Sequence, residues 1–259
     1  MYTVIHTSAK PSHYNKESKH YDSFNEKNSA LINKVLENYL SKHKVKAVLD
    51  LSCGTGSQVF YLTKYGYQVI GVDINSQMLS IAKNKAQQFK KNIMFKKGDM
   101  RTAKIGQFDA VITIFNAIGH LTKQDFEKAI QNIRANLNKK GLYIFDIFNL
   151  NYLLEKDNIT RLTIDVQTRK QGVLAREIQY STINHDGVLA SYDIYHEQTD
   201  LNKPKISKAF QTLQVYSADQ LKKLLEKNSF KLIKLSAIDG SRFNDKRTER
   251  MLVVAQKIE

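Results

Sequence analysis

The stretch Ala47-Val48-Leu49-Asp50-Leu51-Ser52-Cys53-Gly54-Thr55-Gly56-Ser57 constrains the fold more than any other part of the chain. An apolar run ending in closely spaced glycines predicts a buried parallel strand that feeds a tight turn, and the pattern after Ser57 changes to helical spacing. Lacking Cβ atoms, Gly54 and Gly56 let a ligand approach the main chain, and the following helix offers unpaired N–H groups at the positive end of its dipole. The unit predicts a nucleotide-like ligand. Val59 stands where a dinucleotide fingerprint needs its third glycine, and Gly56 is followed by Ser57-Gln58 rather than the Lys-Ser/Thr of a P-loop, so both phosphate readings weaken. A second apolar strand, Val69-Ile70-Gly71-Val72-Asp73, ends in an acid about 20 residues past the glycines, where a carboxylate accepts both ribose hydroxyls. The competing reading of Asp73 is a solvated acid capping the helix that begins near Ser76.

Val48 to Gly56 resembles the signature of the class I S-adenosylmethionine-dependent methyltransferases, with Ser52 where that family usually carries glycine or alanine. The resemblance implies an α/β fold, a Rossmann-like seven-stranded and mostly parallel sheet flanked by helices, with S-adenosyl-L-methionine as cofactor. It implies a cofactor site made by Asp50, Ser52, Gly54, Gly56, Asp73, Ile74 and Met78, with Asp99 accepting the adenine amino hydrogens and Met100 packing on the ring. Asp99 also reads as a turn residue beside Gly98. Tyr21-Asp22-Ser23-Phe24 resembles a Tyr-Asp-x-Phe-like stretch of small-molecule methyltransferases, in which an N-terminal arm folds over the cofactor; this makes Tyr21 a candidate for cofactor binding and catalysis. The fourth strand, Phe108 to Phe115, runs into Asn116-Ala117-Ile118-Gly119-His120-Leu121, and ligands of open parallel sheets sit beyond the carboxyl ends of strands. Asn116 and His120 are therefore expected beside the transferable methyl, with His120 as a proton relay.

The remaining chain alternates helix and strand up to Phe148, as a parallel sheet covered on both faces requires. Ser29 to Leu40 has helical spacing. Thr122 and Asp125 form a capping box for a helix expected to run to Gly141, and Leu142 to Phe148 is the fifth strand. Residues 161 to 215 instead alternate with period two, in segments punctuated by Gln171-Gly172, Asp186-Gly187 and Asn202-Lys203-Pro204, which predicts an antiparallel β insertion after strand five. A capping box at Ser217 and Gln220 restarts the core, whose last strands are Phe230 to Leu235 and Met251 to Ile258. The expected organisation is an arm and helix over 1–44, a cofactor-binding core over 45–149 and 217–259, and an inserted substrate lid over 150–216. This layout resembles amino-sugar N,N-dimethyltransferases, whose Gly-His-Leu/Met element Gly119-His120-Leu121 matches, and glycine/sarcosine-type N-methyltransferases. Gln211 and Gln214 depart from that subgroup.

Composition bounds the partners. The 259 residues are 42% hydrophobic, enough for a real core, and the formal net charge is +15. The excess is mostly lysine spread along the chain, whereas sequence-reading proteins concentrate arginine, so a nucleic-acid partner is possible but not favoured. No run approaches the roughly 18 apolar residues of a membrane span, and Met1 to His6 lacks the build of a signal peptide, which predicts a cytoplasmic protein without a membrane partner. The single cysteine, Cys53, reads as a space-filler within the turn, and the scattered histidines have no metal-ligand spacing. The resulting expectation is methyl transfer to a small molecule, most simply an amine nitrogen. An RNA or protein methyltransferase and a non-catalytic cofactor-binding regulator are the alternatives, and monomer and homodimer both stay open.

Overall fold

The computed structural model describes residues 4–15, 18, 21–88, 93–155, 159–168, 173–199, 202–203 and 205–259, and of residues 21, 23–28, 159–168, 173–177 and 199 the backbone alone. The first helix, α1 (Tyr21–Lys42), leads into β1 (Ala47–Asp50), α2 (Ser57–Lys64), β2 (Gln68–Asp73), α3 (Ser76–Gln88) and β3 (Met94–Lys97). Then come β4 (Phe108–Thr113), a 3-10 turn at Ala117–His120, α4 (Lys123–Ala135), β5 (Leu137–Phe148) and α5 (Leu150–Glu155). The insertion is β6 (Ile159–Thr168), β7 (Val173–Ile183), β8 (Val188–Thr199) and β9 (Lys205–Gln214), and the chain closes with α6 (Ala218–Lys227), β10 (Phe230–Ala237) and β11 (Arg250–Lys257).

Seven strands form one sheet in the order β10-β11-β5-β4-β1-β2-β3. The pairs from β3 to β5 are parallel, and β11 runs antiparallel to both β5 and β10. Because successive side chains point to opposite faces, the fully apolar strands bury both sides. Leu49, Val111, Phe145 and Val253 meet Phe126 and Ile130 of α4 and Leu225 of α6 on one face. Val48, Ile112, Ile144 and Val254 meet Ile32 and Leu36 of α1, Leu62 of α2 and Leu79 of α3 on the other. The insertion is a four-stranded antiparallel meander, paired β6-β7-β8-β9 in chain order. Its base is apolar: Ile183, Leu189 and Leu213 pack with Leu150 and Leu153 of α5. Gly187 turns the β7–β8 hairpin at φ +81°, and a Cβ there would lie 2.4 Å from the Val215 carbonyl oxygen, so glycine is required.

Several expectations shift. Helix α1 begins at Tyr21 rather than Ser29, two turns earlier than expected, so the end of the expected arm is helical. Helix α4 stops at Ala135, not Gly141, because the Asn136 side chain leaves the helix to accept the Ile105 N–H at 2.8 Å and donate to the Ala103 carbonyl at 2.9 Å. Leu137 thus opens β5, and Gly141 lies inside that strand, where a Cβ would come 3.2 Å from the Asp109 carbonyl of β4. The short helix α5 was not signalled by the period-two pattern around it. Thr122 caps α4 by accepting the Asp125 N–H, while Ser217 and Gln220 form the full reciprocal box on α6. The turns expected at Gln171-Gly172 and at Pro204 lie outside the described residues.

Candidate active site

The site begins where β1 ends. Gly54 and Gly56 adopt φ +53° and +93°, and a Cβ on Gly56 would collide with the Phe60 ring at 2.6 Å. The turn is tied to its neighbour by the Gly54 N–H, which donates to Asp73 Oδ2 at 2.8 Å, while Asp73 Oδ1 accepts the Asn75 N–H at 2.8 Å. Asn75, not Asp73, caps α3, accepting the Gln77 and Met78 N–H groups. Burial pushes the Asp73 carboxyl above its usual range against these hydrogen bonds. Beneath the turn, Asp50 is 1% exposed; its Oδ1 accepts the Ser52 N–H at 3.1 Å and its Oδ2 has no partner. Burial first, and the neighbouring Asp73 charge last, raise it to about 8.

The ends of β4 and β5 build the opposite wall. Phe115 and Asn116 both take left-handed conformations, φ +66° and +56°, which non-glycine residues hold only when neighbours compel them. The compelling group is Asp146, a fully buried carboxylate that accepts the Phe115 N–H at 2.6 Å, the Asn116 N–H at 3.1 Å and Arg250 Nε at 2.5 Å. Asn116 is itself buried: its amide oxygen accepts the Phe148 N–H at 3.3 Å, and Gly119 packs so closely that a Cβ would meet Asn116 Nδ2 at 2.6 Å.

A strap of the N-terminal chain closes the mouth. Ala9 N–H donates to the His120 carbonyl at 2.8 Å, and Ser8 donates to Asp125 at 2.7 Å while accepting the Thr122 N–H. His6 bridges core and insertion: Nε2 donates to the Leu121 carbonyl at 3.0 Å, leaving Nδ1 to accept from Thr212 at 2.9 Å. Burial lowers His6, which suits this neutral tautomer. Further along, Tyr14 Oη meets His120 Nε2 at 2.5 Å, and the His13 ring centroid lies 5.1 Å from that of His120. His120 Nδ1 is buried without a partner. Burial first, then the nearby His13 and His6, lower the imidazole to about 3, so it is neutral at physiological pH. Asp125 is drawn down to about 2, first by the Ser8 hydroxyl and further by Lys128 and Arg101.

Together these elements enclose a cleft of about 800 Å³, part of it open to solvent, over the carboxyl ends of β1, β2 and β4. A family model described as a methyltransferase domain matches residues 48–141, the span from β1 into β5. The chain carries a methyltransferase domain. A putative methyltransferase of Bacillus subtilis, YqeM, is 36% identical over 103 residues, 39% of this chain and 41% of that protein, so the chain spans less than half the length of this relative. An S-adenosylmethionine-dependent methyltransferase from Clostridium acetobutylicum superposes with a TM-score of 0.77 at 19% identity, covering 95% of this chain and 99% of that one. The sugar N-methyltransferase KedS8 from Streptoalloteichus superposes with a TM-score of 0.76 at 17% identity over 100% of this chain and 98% of its own, insertion included.

The residues of the methyltransferase domain fit S-adenosylmethionine. Each Asp73 oxygen spends one lone pair on a backbone N–H and keeps another for a ribose hydroxyl, and the orphaned Asp50 Oδ2 and Ser52 Oγ mark unsatisfied polar atoms at the glycine turn. Of the candidates from the sequence, Ser52, Gly54, Asp73, Ile74, Met78, Asp99, Met100 and His120 line this cleft. Asp50, Gly56 and Asn116 stand behind its wall. Both Asp99 oxygens accept from Arg101, whose Nη1 reaches Asp125 at 2.6 Å; burial raises the Asp99 carboxyl, but the Arg101 contacts outweigh it and hold it below its ordinary value. The Tyr21 and Phe24 side chains lie outside the described residues, although Asp22 between them bonds Thr55 of the glycine turn at 2.5 Å and pairs with Lys85. The tyrosine that meets His120 is Tyr14, which no sequence motif marked. Phe115 and His13 were likewise unsignalled. Cys53 is 3% exposed and burial drives its thiol up, against any nucleophilic role. No cluster able to hold a metal ion occurs among the described residues, and no described helix is long and apolar enough to cross a membrane.

Proposed function

We propose that this protein transfers a methyl group from S-adenosylmethionine to a small molecule, at an amine nitrogen, with the arm over 1–44 and the insertion over 150–216 roofing the core. The observation that carries this reading is the Tyr14–His120 pair, which closes a cleft already tied down by the strap at Ser8, Ala9 and His6. A roof fastened at that many points favours a compact acceptor over a polymer. The full-length likeness to a sugar N-methyltransferase supports the same class.

Bound S-adenosylmethionine supplies an electrophilic methyl on a sulfonium, so the chain's task is to align the acceptor and exclude water. Asp73 and the glycine turn hold the donor's ribose and main body. At the other end of the cleft, neutral His120 holds the Tyr14 hydroxyl through Nε2, and the pair bounds the space in which the acceptor amine turns its lone pair towards the methyl. Because His120 is depressed to about 3, it acts here by orienting Tyr14 rather than by storing the amine's proton. The acceptor must arrive as the free amine, and the proton displaced on N–C bond formation leaves with the product to water.

Labelled methyl transfer tests this with two pools, a low-molecular-weight metabolite extract and total RNA. Label in the metabolite fraction is expected, with Tyr14→Phe and His120→Asn each slowing it about 10- to 100-fold without changing the shape of the pH profile. Label confined to RNA overturns the proposal, and His120→Asn turnover equal to wild type at every pH removes the role given to that histidine.

A further inference from the structure

We propose that Asn75 is a positioning residue for methyl transfer: through Asn15 it latches the N-terminal strap to the donor wall of the cleft, so that the loop carrying the donor's carboxylate also sets the Tyr14–His120 pair. The proposal rests on the small-molecule reading above and deepens it. Asn75 is 2% exposed, lies between β2 and α3, and lines the cleft beside Asp73 and Ile74. Its backbone N–H donates to Asp73 Oδ1 at 2.8 Å, and its own Oδ1 caps α3 by accepting the Gln77 N–H at 2.9 Å and the Met78 N–H at 3.0 Å. A cap needs only that oxygen, and Thr122 and Ser217 cap α4 and α6 with hydroxyls. What asparagine adds is an amide N–H₂: Nδ2 donates to Asn15 Oδ1 at 3.0 Å, 60 positions away on the strap.

Asn15 is placed for this contact by a tight turn, in which its N–H donates to the Ser12 carbonyl at 3.0 Å and its carbonyl accepts the Ser18 hydroxyl at 3.1 Å. Adjacent residues of that turn therefore reach opposite walls, Tyr14 meeting His120 and Asn15 meeting Asn75. Between these walls, Ala9, Lys10, Pro11, His13 and Tyr14 roof the same cleft that Asp73 lines. At the acceptor end His6, Ser8 and Ala9 pin the strap to Leu121, Asp125 and His120. Asn75 supplies the pin at the donor end. Opening the strap there would leave a buried amide without its acceptor, which favours the closed position. A donor whose ribose hydroxyls bond to Asp73 steadies the Asn75 N–H held by the same carboxylate, and with it the latch. Such coupling is reciprocal, so the latched strap also retains the donor.

The test reads hydrogen exchange at the Ala9 amide, which donates to the His120 carbonyl, in the full chain with and without saturating S-adenosylmethionine. In wild type the donor is expected to slow this exchange about tenfold. Asn75→Ser keeps an oxygen for the cap and removes Nδ2, so the donor should slow exchange by less than about twofold, with the thermal midpoint little changed. Its S-adenosylmethionine affinity should fall about two- to tenfold, the size of one hydrogen bond, and it should label the metabolite fraction about tenfold more slowly at saturating donor. Asn15→Ala, which leaves α3 untouched, should match it. Asn75→Asp and Asn15→Asp each leave an amide that turns to donate or accept, and should keep the donor's effect on exchange. Combined, they set two carboxylates against each other; the effect should vanish near about pH 8 and return towards about pH 5, as one carboxyl takes up a proton and donates to the other. Asn75→Asp alone, over the same range, controls for the titration of Asp73. Donor-induced slowing equal to wild type in Asn75→Ser and Asn15→Ala, or a double variant that matches Asn75→Asp at every pH, leaves Asn75 a helix cap and overturns the assignment. If wild type labels no metabolite, the small-molecule reading fails by itself, and the exchange measurement, which needs no acceptor, still decides the role of Asn75.

Discussion

Replacing Asp73 with alanine should separate the cofactor's hold on the site from the stability of the fold. In the structure each carboxylate oxygen accepts one backbone N–H at 2.8 Å, from Gly54 and from Asn75, which fixes the carboxylate plane before any ligand arrives. Two ribose hydroxyls donating to the remaining lone pairs form hydrogen bonds to a charged acceptor, worth about 1.5–3 kcal/mol each. Losing both costs about 3–6 kcal/mol, roughly a 10²- to 10⁴-fold rise in Kd for S-adenosylmethionine. The two released N–H groups face a cleft that water can enter, so the cost to folding stays near the low end of the roughly 1–3 kcal/mol for an unsatisfied donor. Calorimetric titration with S-adenosylmethionine, beside thermal unfolding of the same samples, reads both quantities. Asp73→Asn keeps one acceptor oxygen and turns an amide N–H₂ towards the other backbone donor, so its affinity should fall between the two.

The same carboxylate sets a pH dependence. Burial raises its pKa, while the ribose contacts require the ionised form. Cofactor affinity should hold at pH values above this raised pKa and fall as pH drops through it, at a higher pH than an exposed carboxylate would give. Asp73→Ala binding within about threefold of wild type, together with an unchanged low-pH limb, would refute the assignment of the ribose to this acid.

Three further outcomes follow from buried polar groups. Asp146→Ala strands the Arg250 guanidinium and two backbone N–H groups, so it should cost about 3–5 kcal/mol in denaturant unfolding, more than Arg250→Gln; equal losses would mean that the ion pair does not hold the Phe115–Asn116 turn. Ser217→Ala deletes the cap and breaks the reciprocal box on α6, which should lower stability by about 0.5–2 kcal/mol and leave cofactor affinity unchanged. Asp50, raised from 3.8 to about 8 by burial, keeps its proton in the folded state and loses it in the unfolded one across that window. Its contribution to stability therefore falls as pH rises towards 8, by up to about 1.4 kcal/mol per pH unit, and Asp50→Asn should flatten the slope measured by denaturation between pH 5 and 8.

The parts of this molecule that were legible in the sequence are those whose chemistry is local. The glycine turn and the acid ending β2 are fixed by backbone conformation and by strand length, which a short window contains, and Ser217-Gln220 spells out its own cap. The boundary between α4 and β5 was missed because Asn136 ends the helix by bonding to Ile105 and Ala103, some thirty residues away, where no window would look. Tyr14 and His120 are 106 positions apart, and the strap between Ile5 and Tyr14 has no period because it is held by single hydrogen bonds rather than by an apolar face. Yet one distant pair did leave a trace. Asp146 is a lone carboxylate in the otherwise apolar run Leu142 to Phe148, and Arg250 stands at the head of the apolar run Met251 to Ala255. A charge in a strand that buries both faces must meet a partner or a ligand, since an isolated buried ion is too costly to keep. Here the two charges meet each other across 104 positions, Arg250 Nε donating to Asp146, so each explains why the other is tolerated in its strand.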